Sequence, residues 1–195
     1  FINSLKKSHI INSQISKMKF ADISCGSGTF LITVYDMLLK YHIHWYNQHR
    51  IKAKKDGCFY IKEDDFWTLS LQMKRKILVN NIYGVDIDQQ AVEVTELSLY
   101  LRLMEDETVV TSYEASQTLG FSLLPDLSNN IILGNSLIDW DFQTDSLFPD
   151  DTIKRLRPMN FESTFPFLNK NKGFDAIVGN PPYVFTRDVD WPDTV

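Results

Sequence analysis

Short apolar runs alternate with longer segments of helical periodicity along this chain. The runs cover residues 19–23, 82–87, 130–133 and 174–179, and each has the length and composition of a buried strand. After the first run, apolar side chains recur on one helix face at Phe30, Leu31, Val34, Tyr35, Leu38 and Leu39. Strands that alternate with helices predict an α/β fold, with a mostly parallel sheet flanked by helices.

Two further helices are predicted from the same periodicity. The first has a row of apolar side chains at Phe66, Leu69, Met73, Ile77 and Leu78. The second begins after Asp88, a residue type that caps helix N-termini, and continues to Met104. Its apolar positions form two rows, one at Val92, Leu99 and Leu103 and one at Val94, Leu97 and Leu101. An apolar surface this wide predicts burial against both the sheet and neighbouring elements.

The patterns also divide the chain into segments. Residues 1–18 have patchy helical periodicity and are predicted to form a helical lead-in, and residues 19–195 are assigned to one α/β domain. Within that domain, residues 46–65 are polar and basic and contain the turn-forming pair Asp56-Gly57, so we interpret them as an insertion. The chain begins with Phe1 rather than Met, which we interpret as the mark of a piece of a longer protein.

Composition narrows the class of protein. The 195 residues are 44% hydrophobic and 23% charged, which is typical of one globular domain and not of a disordered chain. No apolar stretch is long enough for a membrane span, and no secretory signal pattern opens the chain. Cys25 and Cys58 are too few for a disulfide framework or a four-cysteine zinc site. We therefore expect a cytoplasmic protein without a metal ion.

Charge is distributed unevenly, although the net charge of −5 argues mildly against a nucleic-acid partner. Residues 40–62 are rich in Lys, Arg and His, whereas residues 139–151 carry five aspartates. Both segments are compatible with solvated loops, and the basic one is also compatible with contact to a phosphate backbone. The acidic one lacks the alternating oxygen ligands and glycine of a calcium-binding loop.

Candidate chemistry lies directly after the predicted strands, because ligands of open α/β sheets bind outside the carboxyl ends of the strands. The first such segment, Asp22 to Phe30, contains the turn Cys25-Gly26-Ser27-Gly28. Glycines let a backbone approach a ligand closely. The turn matches neither the G-x-G-x-x-G dinucleotide pattern, since Leu31 occupies the third glycine position, nor a Walker A loop, which requires a lysine.

Two more segments add specific chemistry. Asp86 ends the second strand, and a carboxylate there can accept both hydroxyls of a ribose, although it can also merely begin the turn into the next helix. Asn180-Pro181-Pro182-Tyr183 follows the last strand. Its two prolines form a rigid turn, where the Asn180 amide oxygen and the Pro181 carbonyl can both accept from one amino group. The ring of Tyr183 can stack on a planar base.

Together these segments resemble the catalytic domain of amino-group (gamma-type) DNA adenine methyltransferases, of the kind found in type IIG restriction-modification enzymes and phage-defence methylases. Residues 22–30, Asp-Ile-Ser-Cys-Gly-Ser-Gly-Thr-Phe, resemble the family's D-P-A-C-G-S-G-x-F loop. Residues 84–88, 133–137 and 180–183 resemble its next motifs, in the same order. The resemblance spans about residues 20–184 and implies a Rossmann-like methyltransferase fold, incomplete at the C-terminus.

The resemblance also implies a role for each motif residue. S-adenosylmethionine would lie at the strand tips, with its methionine portion surrounded by Asp22, Ser24, Cys25, Gly26, Ser27, Gly28, Thr29 and Phe30. Asp86 would bind the ribose, and Ile87 would pack on the cofactor's adenine. Asn135 would accept from that adenine's amino group, with Ser136 and Leu137 lining the pocket. A target adenine flipped out of double-stranded DNA would be held by Asn180, Pro181, Pro182 and Tyr183. Cys25 would be a loop residue and not a nucleophile.

Some features depart from the family pattern. Ile23 and Ser24 replace proline and alanine, and no Thr-Pro-type cofactor motif precedes Phe20. The family's later strands, its target recognition domain and any nuclease domain do not follow Tyr183, so we expect a partial catalytic domain. Two alternatives stay open. Protein-glutamine methyltransferases also use Asn-Pro-Pro-Tyr, although their cofactor loop is usually aliphatic around the glycines. The second alternative is a module that binds cofactor or DNA without turnover.

Overall fold

A computed structural model describes residues 12–105, 107, 124–139, 156–171 and 173–180 of the chain. Its helices are α1 (Asn12–Ile15), α2 (Thr29–Gln48), α3 (Arg50–Asp56), α4 (Leu71–Asn81), α5 (Gln89–Met104), α6 (Phe161–Thr164) and α7 (Leu168–Asn171). Its strands are β1 (Phe20–Asp22), β2 (Phe59–Ile61), β3 (Phe66–Thr68), β4 (Ile82–Asp86), β5 (Ile131–Leu133) and β6 (Ala176–Ile177). All four predicted strands are present, although β6 is shorter than the predicted run.

The main sheet is parallel throughout and has the strand order β5-β4-β1-β6. The chain moves outward from β1 through β4 to β5 and then returns to the other side of β1 to form β6. The order therefore reverses between β1 and β6, the kind of crevice in which open α/β sheets bind ligands. This architecture confirms the predicted Rossmann-like α/β fold.

Both faces of the sheet are covered by apolar side chains. Successive side chains of a strand point to opposite faces, so neighbouring residues belong to different clusters. Phe20 of β1 and Ile82 of β4 belong to a core shared with buried side chains of α2, α4 and α5. Their neighbours Ala21 and Tyr83 belong to a second apolar cluster, which contains Met159 and Phe165. The predicted layered arrangement is thus formed by two cores, one on each side of β1 and β4.

The helix α5 contradicts one prediction. Its row of Val92, Leu99 and Leu103 is buried, as expected, but Val94, Leu97 and Leu101 are 47%, 57% and 66% exposed. The two rows lie on different sides of the helix, and only one side faces the sheet. Periodicity alone cannot show which of two apolar rows is covered.

The segment interpreted as an insertion is more structured than its polarity suggested. The helix α2 continues through Tyr46 to Gln48, and α3 and a two-stranded antiparallel hairpin of β2 and β3 follow. Phe66 is therefore a strand residue, and the predicted helix begins only at Leu71. The Asn47 side chain bonds to both the backbone N–H and the C=O of Trp67, at 2.9 and 2.8 Å, and so fastens the hairpin to α2.

The basic part of this segment lies far from the strand tips. The helix α2 starts beside the glycine turn and has 20 residues, so it is about 30 Å long. The basic helix α3 begins beyond its far end, with Arg50 paired to Asp65 and Lys52 paired to Asp56. None of the helices in the described ranges is long and apolar enough to cross a membrane.

Candidate functional site

The tips of the four parallel strands are joined to one another by direct contacts. At the β4–β5 side, the Gly134 N–H donates to the Asp86 carbonyl at 2.8 Å. Between β4 and β1, the Cys25 N–H donates to the Val85 carbonyl at 3.0 Å. Backbone hydrogen bonds therefore join the segments after β1, β4 and β5 into one continuous edge. A packing contact at Gly179, described below, adds the segment after β6.

Asp86 holds the centre of this edge. One oxygen of its carboxylate accepts from the Gly26 N–H at 2.8 Å, and the other accepts from the Asp88 N–H at 2.9 Å. Each carboxylate oxygen has two lone pairs, so both oxygens keep capacity for another donor. Asp88 caps α5 by accepting from the Gln90 N–H, as predicted. Asp86 is therefore oriented by backbone groups and does not serve as the helix cap itself.

The glycine turn is shaped by a close approach of α5. Gly28 has a φ of 79°, in the left-handed region, and directly precedes α2. A Cβ at this position would lie 2.9 Å from the Thr95 methyl carbon, so only glycine fits without a shift. The Thr95 hydroxyl donates to the Gly26 carbonyl at 2.8 Å and lies 3.8 Å from the Cys25 sulfur.

Asp22 is a buried carboxylate at the crevice between β1 and β6. Its side chain is only 1% exposed; Oδ1 accepts from the Ser24 N–H, and Oδ2 is buried without a hydrogen-bond partner. Burial raises the pKa of this carboxyl, and repulsion from Asp86 raises it further, although the hydrogen bond from Ser24 opposes the change. An unpartnered carboxylate oxygen is costly to bury, and a cation or hydrogen-bond donor brought next to it would lower that cost.

Gly179 brings the end of β6 against this carboxylate. A Cβ on Gly179 would lie 2.7 Å from Asp22 Oδ1, so the two strand tips are in van der Waals contact across the crevice. Asn180 follows directly and is exposed. Pro181, Pro182 and Tyr183 lie outside the described residues.

Cys25 is 5% exposed and is not disulfide-bonded. Burial raises the pKa of its thiol to about 11. The thiolate is the nucleophilic form of cysteine, so this thiol is protonated at neutral pH. A buried, protonated thiol is compatible with the prediction that Cys25 is a loop residue and not a nucleophile.

The third segment forms a compact turn after β5. The Asn135 side-chain oxygen accepts from the Leu137 N–H at 3.0 Å, and the Asn135 N–H donates to the Arg157 carbonyl at 2.7 Å. Ser136 is half-buried, whereas Leu137 is 88% exposed. The Asn135 oxygen keeps one lone pair for a further donor.

Exposed apolar side chains accompany the polar groups at this edge. Phe30, in the segment after β1, is 46% exposed, and Ile87, which directly follows Asp86, is 47% exposed. In the glycine turn, the Ser27 and Thr29 hydroxyls bond to each other at 3.1 Å, and the Ser24 hydroxyl is buried without a partner. A ligand with apolar and polar parts would match both kinds of surface.

Thr95 is the site residue that the sequence patterns did not identify. It occupies the buried row of α5, between Val92 and Leu99, and is 0% exposed. A polar residue within an otherwise apolar row was the available signal.

Elsewhere, no cluster of three or more His, Cys, Asp or Glu side chains suited to a metal ion occurs among the described residues.

Comparison with known proteins adds independent information. The model of the Eco57I restriction-modification methylase family matches residues 80–192, more than half of the chain. The chain is 36% identical, over 91% of its length, to the type II restriction enzyme and methyltransferase RM.Eco57I of Escherichia coli. It is 35% identical, over 68% of its length, to a putative enzyme of the same description from Methanocaldococcus jannaschii.

A more distant relative is the adenine-specific methyltransferase PglX of Streptomyces coelicolor, with 25% identity over 88% of the chain. The matched parts make up 16%, 10% and 13% of these relatives, so the chain spans only a small fraction of each. The family model and these identities, together with the parallel sheet and its joined strand tips, place the chain in the Eco57I restriction-modification methylase family.

Proposed function

We propose that the chain is the catalytic core of a DNA methyltransferase that transfers a methyl group from S-adenosylmethionine to the exocyclic amino group of adenine. The observation that carries this proposal is the joined edge of strand tips, where Asp86 is hydrogen-bonded to Gly26 of the glycine turn. The family membership supports the class of reaction, and the name of one relative mentions adenine specificity.

The residues at the edge fit S-adenosylmethionine by their chemistry. Asp86 has lone pairs for the two ribose hydroxyls, and the exposed side chain of Ile87 offers an apolar surface for the adenine ring. Asn135, with Ser136 and Leu137, would bind the edge of that ring. The buried, unpartnered Oδ2 of Asp22 suits the positively charged methionine end, which the turn from Ser24 to Phe30 would enclose.

The target adenine would be held at the crevice between β1 and β6. The Asn180 side-chain oxygen and the Pro181 carbonyl would accept hydrogen bonds from the two N–H groups of the adenine amine, and Tyr183 would stack on the ring. The base must leave the double helix to reach this position. In the longer parent protein, Tyr183→Phe should therefore change the activity little, whereas Tyr183→Ala should lose roughly 1–3 kcal/mol of base binding.

The protein's contribution to the reaction would be positioning and polarisation. Bound S-adenosylmethionine supplies an electrophilic methyl group. The lone pair of the adenine amine is delocalised into its ring, so acceptors at Asn180 and Pro181 would favour the pyramidal, nucleophilic form of the amine. Alignment of amine and methyl carbon supplies much of the remaining rate enhancement. No covalent enzyme intermediate is needed, in keeping with the protonated thiol of Cys25.

The proposed partners are double-stranded DNA and additional domains of a longer polypeptide. The names of two relatives combine a restriction enzyme with a methyltransferase, and both relatives are much longer than this chain. A target recognition domain, and in such fusions a nuclease domain, would then provide the sequence specificity and cleavage.

The proposal is tested by methyl transfer from S-adenosylmethionine labelled on the methyl group. The acceptors are double-stranded DNA of mixed sequence and a glutamine-containing peptide, and DNA nucleosides are analysed after digestion. With the longer parent protein, label in N6-methyladenine is the expected result. Label only in the peptide would support the glutamine methyltransferase alternative, and cofactor binding without transfer to either would support the non-catalytic one.

A further inference from the structure

Helix α5 touches the glycine turn through one side chain. Thr95 is fully buried, and its side-chain atoms lie 2.9–3.3 Å from the place that a Cβ of Gly28 would occupy. Its hydroxyl donates to the Gly26 carbonyl at 2.8 Å and also lies near the Cys25 sulfur. One threonine therefore contacts three residues of the turn.

This use of a helical hydroxyl differs from that of nearby hydroxyl residues. Ser98, also in α5, donates to the Val94 carbonyl of its own helix at 2.7 Å. Thr33 in α2 donates to the Thr29 carbonyl of its own helix at 2.9 Å. This local bond is the usual partner of Ser and Thr within helices. Thr95 instead donates to a residue 69 positions away.

Gly26 is consequently held on both sides by residues of the β4–α5 unit. Its N–H donates to the Asp86 carboxylate at 2.8 Å, and its C=O accepts from Thr95 at 2.8 Å. Both bonds are made by groups with little freedom, since Asp86 is oriented by the Asp88 N–H and Thr95 is buried. These two hydrogen bonds, one with Asp86 and one with Thr95, together set the orientation of the peptide groups on both sides of Gly26.

We propose that Thr95 is a positioning residue for cofactor binding, which it controls by fixing the Gly26 carbonyl and closing the turn over Cys25. This inference rests on the proposed function, because it takes the glycine turn as the cofactor loop. The hydroxyl, rather than the methyl group, is the part of the side chain that matters for cofactor binding. Without it, the turn opens more often and must be ordered when S-adenosylmethionine binds.

The variants Thr95→Val, Thr95→Ser and Thr95→Ala separate the two parts of the side chain. Valine keeps the shape and removes the hydroxyl, serine keeps the hydroxyl and removes the methyl group, and alanine removes both. Thr33→Val is the matched control, since it deletes a hydroxyl that bonds only within its own exposed helix turn. Thermal unfolding establishes that each variant is folded.

Two measurements are made on the protein. Calorimetry gives the affinity for S-adenosylmethionine, and the rate at which Cys25 reacts with a thiol reagent reports opening of the turn, with the second buried cysteine, Cys58, as internal reference. Loss of a hydrogen bond of ordinary strength predicts about 3- to 10-fold weaker binding in the valine and alanine variants. Labelling of Cys25 should accelerate by a similar factor while Cys58 is unchanged. The serine and Thr33 variants should behave like the wild type.

The outcomes distinguish this inference from the proposed function. If the valine variant binds and is labelled like the wild type, or if serine is as poor as alanine, Thr95 acts by packing alone and the inference is wrong. If the wild type does not bind S-adenosylmethionine, the proposed function fails at this site. In that case, unchanged labelling of Cys25 in the valine variant would still overturn the role of the Thr95 hydroxyl in closing the turn.

Discussion

The carboxylate of Asp22 packs against the backbone of Gly179, so that a Cβ on Gly179 would lie 2.7 Å from Asp22 Oδ1. This contact spans the crevice between β1 and β6, where the strand order reverses. The end of β1 carries the proposed cofactor carboxylate, and Asn180 follows three residues after β6 ends. The proposed cofactor and base sites therefore share one wall.

Asp22→Asn should raise stability and weaken cofactor binding. The pKa of the folded carboxyl is above its usual value, chiefly because of burial. The native state thus keeps its proton to a higher pH than the unfolded state does, and stability falls as pH rises through that window. Asparagine removes this loss of stability. The unfolding midpoint of the Asp22→Asn variant should therefore exceed that of the wild type at pH 7, and the two midpoints should converge under acidic conditions. A lower midpoint at pH 7 together with unchanged cofactor affinity would contradict the assignment.

Gly28→Ala should destabilise the fold more than Gly57→Ala does. Both glycines have φ near 80°, but a Cβ at Gly57 meets nothing within 4 Å, whereas one at Gly28 meets Thr95 at 2.9 Å. The left-handed conformation costs alanine about 1–2 kcal/mol at either position, and the collision adds about 1–3 kcal/mol at Gly28 alone. Denaturant titration measures both free energies of unfolding, and equal losses would show that Thr95 yields without cost.

The fold and the proposed site were predicted from the sequence to different depths. Strands β1, β4 and β5 were located within one or two residues, because each is a short apolar run that ends in polar or glycine residues. Asp86 was identified for the same reason. Phe66 was misplaced, since an isolated aromatic residue fits a helix face as well as a strand, and its pairing with Ile61 across the hairpin decides the matter.

Contacts between distant parts of the chain set the limit of that prediction. The Thr95–Gly26 bond joins residues 69 positions apart, and no local pattern specifies it. The exposed outer row of α5 has the same cause, because exposure depends on which side of the helix meets the sheet. Residue types at strand ends indicate a site, whereas the tertiary contacts determine its shape.

His42 should make the protein less stable in mild acid. It is 4% exposed, lines a cavity of about 720 Å³ between α2, α3 and α4, and its Nε2 has no hydrogen-bond partner. Burial lowers the pKa of this imidazole to about 4, below the usual value of about 6.5. As pH falls, the imidazole is protonated in the unfolded state before it is in the folded state. The stabilisation is therefore fully present above pH 6.5 and is lost as pH falls towards 4, by at most about 3 kcal/mol.

Unfolding midpoints between pH 4 and 8 check this for the wild type and His42→Gln, with His44→Gln, which removes an exposed imidazole, as control. The His42 variant should have a flatter profile than the other two proteins. Parallel profiles for all three would mean that His42 is accessible to protons in the folded state.

In the longer parent protein, Asn180→Ala should abolish methylation without loss of the fold or of cofactor affinity. Asn180 is exposed at the end of β6, so its removal leaves no cavity, while loss of an aimed hydrogen-bonding group typically lowers the rate 10²- to 10³-fold, about 3–4 kcal/mol. Initial rates of methyl transfer at saturating S-adenosylmethionine measure the effect. Asn169→Ala, at another exposed asparagine, is the control and should retain wild-type turnover. Near-normal turnover in Asn180→Ala would refute the proposed role of this turn.

The central claim, that Asp86 binds the ribose of S-adenosylmethionine, is tested most directly by calorimetric titration of the cofactor into the wild type, Asp86→Ala and Asp88→Ala. Asp88 is the matched control because its side chain caps α5, whereas its backbone N–H, which orients Asp86, is kept in alanine. Loss of charge-assisted hydrogen bonds predicts that Asp86→Ala weakens binding by about 1–3 kcal/mol, whereas Asp88→Ala leaves it close to that of the wild type. Equal affinities in the wild type and Asp86→Ala would contradict the claim.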